Sequence, residues 1–182
     1  MGLTMLLGGA RSGKSSLAVA MARSWSGHVS VVATAQAGDA EMESRIRRHR
    51  DERPWDWTVI EEPLLLPEAM ASVNDPSLLI IDCLTLWVSN LVGSGMSDES
   101  ILELAARTAS LAAERDAPVI VVSNEVGSGI VPVNELARRY RDLLGSVNAV
   151  WASSADDTFL VVAGRLLRLE SAAGLAPVGH VV

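Results

Sequence analysis

The chain has 182 residues, 49% of them hydrophobic but only 4% aromatic, and a formal net charge of −7. These values suit one folded domain with an aliphatic core and argue for a compact globule rather than a disordered chain, while the acidic balance argues against a nucleic-acid partner, whose backbone asks for a basic face. The single cysteine, Cys83, excludes an internal disulfide and a cysteine-based zinc site.

That cysteine usage points to a reducing, cytoplasmic compartment. No run is long enough for a membrane span, because the apolar stretch 78–86 is interrupted by Asp82. The start of the chain lacks the basic and long apolar segments of a signal peptide.

In chain order, residues 3–7 read as a short apolar strand running into glycines. Residues 15–25 carry helical spacing at Leu17, Ala18, Met21 and Ala22. Residues 29–34 are β-branched and predict a buried strand, 40–51 a charged helix, and 57–60 a third short strand. Residues 78–82 predict an apolar strand ending in an acid. Residues 97–115 predict a long helix with Ile101, Leu102, Leu104, Ala105 and Leu111 facing inward. A further apolar strand follows at 119–123, then a helix at 134–151 and a late strand at 158–163. The loop-like stretches are 93–98, 127–132 and the tail after Ser171.

Strands that are apolar on both faces and alternate with helices define an α/β fold. The sheet is expected to be mostly parallel, with helices on both faces, in a single domain over residues 1–182. Ligands in such sheets bind beyond the carboxyl ends of the strands. The glycine loop, Thr34, Asp82 and Asn124 all fall at or just past those ends.

The loop is Gly8-Gly9-Ala10-Arg11-Ser12-Gly13-Lys14-Ser15, which fits G-x-x-x-x-G-K-[ST]. Its glycines let backbone N–H groups curl around phosphate oxygens, and the next helix presents its positive end. Lys14 is the only lysine; every other residue among the 15 Lys and Arg is arginine. A compact ammonium fits between phosphate oxygens where a planar guanidinium does not. Lys14 is expected to reach the β- and γ-phosphates, and the Ser15 hydroxyl to ligate Mg²⁺. With the layered pattern, the loop gives a P-loop NTPase-like (RecA-like) fold class.

Asp82, at the end of an apolar strand, is the expected Mg²⁺ partner; its alternative role is a helix N-cap. His49 lies among Arg45, Arg47, Arg48, Arg50 and Arg53. That segment is either a solvated helix face or a local anion trap in an acidic chain. Neighbouring cations disfavour a protonated imidazole, and a neutral histidine can attack phosphorus. Glu61 and Glu62 either bind a ribose or guanine edge or are ordinary surface acids. Asn124 and Glu125 either orient a hydroxyl substrate or cap a turn. Cys83 reads as a small buried hydrophobe rather than a reactive thiol. His28 and His180 receive no role.

These motifs together resemble one family, the bifunctional adenosylcobinamide kinase / adenosylcobinamide-phosphate guanylyltransferases of cobalamin biosynthesis. The resemblance rests on GGARSGKS, VATAQAGDAEMESRIRRHRDERPWDW, IDCLTLWVSNL and SNEVGSGIVPVNELARRYRDLLGSVN. It implies phosphorylation of the aminopropanol hydroxyl of adenosylcobinamide by ATP or GTP. It further implies transfer of GMP from GTP to an enzyme histidine, here His49, and from there to adenosylcobinamide phosphate. Nucleotide contacts are implied at Gly8 to Ser15, Ala33 to Ala35, Arg50, Asp51, Glu52, Arg53, Glu61 and Cys83. The resemblance implies a homo-oligomer, a trimer, in the same way.

Two other readings use the same loop. One is a small-molecule kinase that never forms a nucleotidyl-protein adduct. The other is a GTP-binding switch, which needs an Asn-Lys-x-Asp guanine reader that a chain with no lysine beyond Lys14 lacks.

Overall fold

The computed structural model describes residues 2–38, 40–73 and 76–171; the tail after Ser171, including His180, lies outside them. Seven strands form one sheet: β1 (Leu3–Gly8), β2 (Val29–Ala33), β3 (Thr58–Glu61), β4 (Leu78–Asp82), β5 (Val119–Asn124), β6 (Asp157–Val162) and β7 (Arg165–Leu169). The helices are α1 (Lys14–Ala22), α2 (Ala40–Asp51), α3 (Leu66–Ala71), α4 (Leu84–Gly93), α5 (Asp98–Ala113) and α6 (Glu135–Ser154). The strand order is β3-β2-β4-β5-β1-β6-β7, parallel throughout except for β7.

Alternation along the strands divides the core in two. Leu3, Met5, Leu79, Ile81, Val119 and Val121 face a layer that includes α3, α4, α5 and α6. Leu6, Val31, Leu78, Ile80, Ile120 and Val122 face the opposite layer, closed by Ala18 and Ala22 of α1. A period of two with both sets apolar is what a parallel sheet covered on both sides requires.

Three elements were not foreseen. Helix α4 continues the apolar run of β4, and Leu84, Thr85, Trp87, Val88 and Leu91 are all buried. An apolar segment of that kind has too little polar contrast to separate helix from strand. Helix α3 is a short piece with Pro67 in its first turn. Strand β7 returns from β6 through Ala163 and Gly164, both at positive φ (49° and 71°), as a tight two-residue hairpin requires. Alanine at the first of those positions hides the turn. One predicted inward residue faces out: Leu111 is 43% exposed.

Registry sets the business edge of the sheet. Gly8 pairs with Asn124, and Ala33 pairs with both Asp82 and Glu61. Parallel strands end together, so the ends of five strands, β1 to β5, meet at one carboxyl edge.

Candidate active site

The loop between β1 and α1 is shaped by its glycines. Gly8 has φ 155°, and a Cβ there would stand 2.3 Å from the carbonyl oxygen of Val161. Gly13, at φ 101°, occupies the N-cap position of α1. Behind the loop, the N–H of Gly164 donates to the carbonyl of Ser12 at 2.9 Å, so the β6–β7 turn buttresses it. Lys14 is buried and folds back over its own loop, donating to the carbonyls of Gly8 (2.8 Å) and Gly9 (2.7 Å). Ser15 Oγ lies 3.4 Å from Asp82 Oδ1.

The acid at the end of β4 is not a helix cap. Helix α4 starts at Leu84 with Cys83 at the cap position and no side-chain capping bond. Asp82 instead accepts from Arg53 Nη2 at 2.9 Å and lies 3.9 Å from His49 Nδ1. The peptide bond between Asp82 and Cys83 is cis. Thr34 holds that corner: its hydroxyl accepts from the N–H of Cys83 (2.9 Å) and donates to its carbonyl (2.7 Å). Asn90 of α4 ties the same region down, donating to the carbonyls of Thr34 and Pro63.

A cleft of about 510 Å³ opens over this edge. From the phosphate loop it is lined by Ala10, Arg11, Ser12, Gly13, Lys14 and Ser15. Ala33, Ala35, Asp82, Cys83 and Asn124 line it from the strand ends. His49, Arg50, Glu52, Arg53 and Glu61 complete the predicted members. Gly8, Gly9, Thr34, Asp51 and Glu125 are off the lining. Thr34 is fully buried, so its side chain supports the corner and does not face the cleft. Glu125 accepts from the N–H of Gly127, the turn-capping alternative. Glu62 accepts from the N–H groups of Leu64 and Leu65, both at 2.9 Å, and so organises the entry to α3.

Three arginines of α2 and just beyond it arrive paired with acids. Arg47 pairs with Glu43 one turn away, Arg50 with Glu61, and Arg53 with Asp82. The local anion trap, one of the two readings of this segment, is therefore partly neutralised by the chain's own carboxylates. Met42, Ile46 and Leu86 also line the cleft and were not anticipated. Met42, Ile46 and His49 follow one helical stripe of α2, i, i+4 and i+7, a signal present in the sequence but obscured by the arginines between them. Burial first, and the Asp82 charge second, push the Cys83 thiol up to about 11. It is a thiol at neutral pH and packs against the α1-side core.

A phosphate loop at the edge of a parallel sheet, with β5 between the loop strand β1 and the acid strand β4, defines a P-loop nucleotide-binding protein of RecA-like architecture. Solved structures share that fold. A protein from Pyrococcus horikoshii OT3 superposes with TM-score 0.58 at 8% identity, covering 93% of this chain and 86% of that one. The RadB recombinase superposes with TM-score 0.51 at 15% identity, covering 87% and 73%.

Sequence relatives narrow the class. The family model described as cobinamide kinase / cobinamide phosphate guanyltransferase matches residues 4–169, and the chain belongs to that family. The bifunctional adenosylcobalamin biosynthesis protein CobP of Pseudomonas aeruginosa is 43% identical over 163 residues, 88% of this chain and 92% of the relative. CobU of Escherichia coli, described as the same kind of bifunctional protein, is 37% identical over 175 residues, 89% and 96% of the two chains. The protein is thus an enzyme of cobalamin biosynthesis with kinase and guanylyltransferase activities. Among the described residues no helix is long and apolar enough to cross a membrane.

Proposed function

We propose that one nucleotide cleft in a single domain carries both transfers, and that His49 is the residue guanylylated in the second. In the first, a nucleoside triphosphate donates its γ-phosphoryl group to the aminopropanol hydroxyl of adenosylcobinamide. In the second, a nitrogen of His49 attacks the α-phosphorus of GTP; the N–P bond forms as the bond to pyrophosphate breaks. A phosphate oxygen of adenosylcobinamide phosphate then displaces the imidazole to give adenosylcobinamide-GDP and restore the enzyme. The observation that carries this reading is that His49 lines the same cleft as the phosphate loop and stands 3.9 Å from the acid that Ser15 also approaches.

The residues have separable tasks. The loop N–H groups and Lys14 cradle phosphate oxygens and absorb developing charge. With Nδ1 turned toward Asp82, Nε2 of His49 is the nitrogen left to attack. The covalent intermediate lets pyrophosphate leave before the bulky corrinoid phosphate binds. Arg50, Glu52, Arg53 and Glu61 flank the nucleotide, Ala33, Ala35 and Cys83 form its floor, and Asn124 faces the acceptor.

The donor set near Ser15 suits Mg²⁺: a hydroxyl and a carboxylate, both hard oxygens. Among the described residues no group of three or more His, Cys, Asp or Glu stands ready to hold a metal. Ser15 and Asp82, completed by water, would hold the ion weakly in the free cleft and jointly with phosphate oxygens once a nucleotide binds, where it would supply charge neutralisation on the phosphates. The single cysteine supports a cytoplasmic setting, the net charge of −7 speaks against a nucleic-acid partner, and the family resemblance supports a homo-oligomer.

Label placement tests the scheme. With γ-labelled GTP and adenosylcobinamide, label should pass to the corrinoid; with α-labelled GTP and no acceptor, it should stay on protein. A chain that moves γ-label but never retains α-label is only a kinase.

A further inference from the structure

The carboxylate assigned to the metal already holds a cation. Arg53 Nη2 donates to Asp82 Oδ2 at 2.9 Å, and the two side chains are only 9% and 14% exposed. His49 Nδ1 approaches the same oxygen, while Ser15 Oγ stands by the other. Arg53 lies two residues beyond the end of α2, and its N–H donates to the carbonyl of Arg50 at 3.2 Å. The guanidinium thus anchors the end of the helix that carries His49 to the strand that carries the acid.

We propose that Arg53 is a positioning residue with two successive partners: Asp82 while the cleft is free of nucleotide, and the triphosphate once a divalent cation claims that carboxylate. The inference rests on the reading of Asp82 as a metal ligand. A carboxylate that coordinates Mg²⁺ does so at about 2.0–2.1 Å, and a guanidinium bonded to the same group competes with that dication. A guanidinium displaced from a carboxylate finds an equivalent planar fork of acceptors on a phosphate. Both Arg53 and Asp82 line the cleft, so the second partner arrives where the first is lost. Because His49 shares the Asp82 oxygen, the exchange also changes the imidazole's surroundings at the moment the nucleotide is loaded. Metal loading and nucleophile placement are coupled through one side chain.

The test uses Mn²⁺ alone with the nucleotide-free full chain, free metal being read by electron paramagnetic resonance. Arg53→Gln should bind Mn²⁺ about tenfold more tightly than wild type, since a charge-assisted bond no longer competes. Arg53→Lys keeps the charge and should stay near wild type. Arg47→Gln removes a positive charge from the same helix but from the exposed pair with Glu43, and should leave the affinity unchanged.

With α,β-methylene-GTP added, the order reverses: Arg53→Gln should bind the analogue about tenfold more weakly. A purely structural role does not reverse sign between the two titrations. Unchanged or weaker Mn²⁺ binding by Arg53→Gln, or Arg53→Lys binding as tightly as Arg53→Gln, overturns the proposal. Asp82→Asn separates the two levels: if it binds Mn²⁺ as wild type does, the metal role of Asp82 itself is wrong. Circular dichroism melting confirms that each variant is folded.

Discussion

Lys14 donates to the carbonyls of Gly8 and Gly9 with its ammonium buried at the floor of the cleft. In the role proposed for Lys14, phosphate oxygens would replace those carbonyls as acceptors, and the loop's own backbone holds the charge in place beforehand. At Gly8 the loop leaves no room for added bulk. Gly8→Ala forces a Cβ to within 2.3 Å of a backbone oxygen on β6, and backbone cannot swing aside. A stability loss of about 2 kcal/mol or more is expected, read by thermal melting, with weakened nucleotide binding. Cys83 gives a second test at this scale. Its native pKa of about 11 lies above the ordinary 9.0, so iodoacetamide should react slowly at pH 8 with the native chain and quickly with the urea-unfolded chain. The unfolded thiol ionises first, so this group's contribution is intact below pH 9 and declines as pH rises from about 9 to 11. A Cys83→Ser variant should flatten that decline in urea titrations run across the range.

Among the elements, β5 is positioned by a buried polar network. Ser123 Oγ donates to Asn148 Oδ1 at 2.7 Å, Asn148 Nδ2 donates to the carbonyl of Asn124 at 3.0 Å, and the N–H of Asn124 donates to Thr85 Oγ1 at 2.7 Å. Three elements, α4, β5 and α6, are thereby locked around the strand end that faces the cleft. Asn148→Ala leaves the Ser123 hydroxyl and the Asn124 carbonyl without these partners. It should cost about 1–3 kcal/mol in urea unfolding and raise KM for the corrinoid acceptor. None of this was readable beforehand, because Ser123 and Asn148 are distant in sequence and each alone looks like an ordinary polar residue. The same holds for Thr34 and Glu62, whose backbone partners are identified only once the chain is folded. The strand ends were legible because a parallel sheet aligns them by registry. The loop was legible because its glycines and lysine are adjacent. His49 was legible as a residue but not in its contact: the arginines around it suggested a cationic setting, and the fold set Asp82 beside it.

At the scale of the molecule, the two core layers on either side of the sheet keep these strand ends in register. Trp151, fully buried in the layer that holds α3 to α6, is expected on truncation to alanine to cost about 3–5 kcal/mol. That is a large part of the stability available to a domain, and a urea titration should show it. The central claim is narrower: that the imidazole of His49 receives GMP within the cleft built by that sheet edge. The direct measurement is to incubate the enzyme with α-labelled GTP and Mg²⁺, quench in base, digest, and identify the labelled peptide. The account predicts one acid-labile, base-stable adduct on His49 that is absent from His49→Asn. Label on another residue, or undiminished label in His49→Asn, would contradict it.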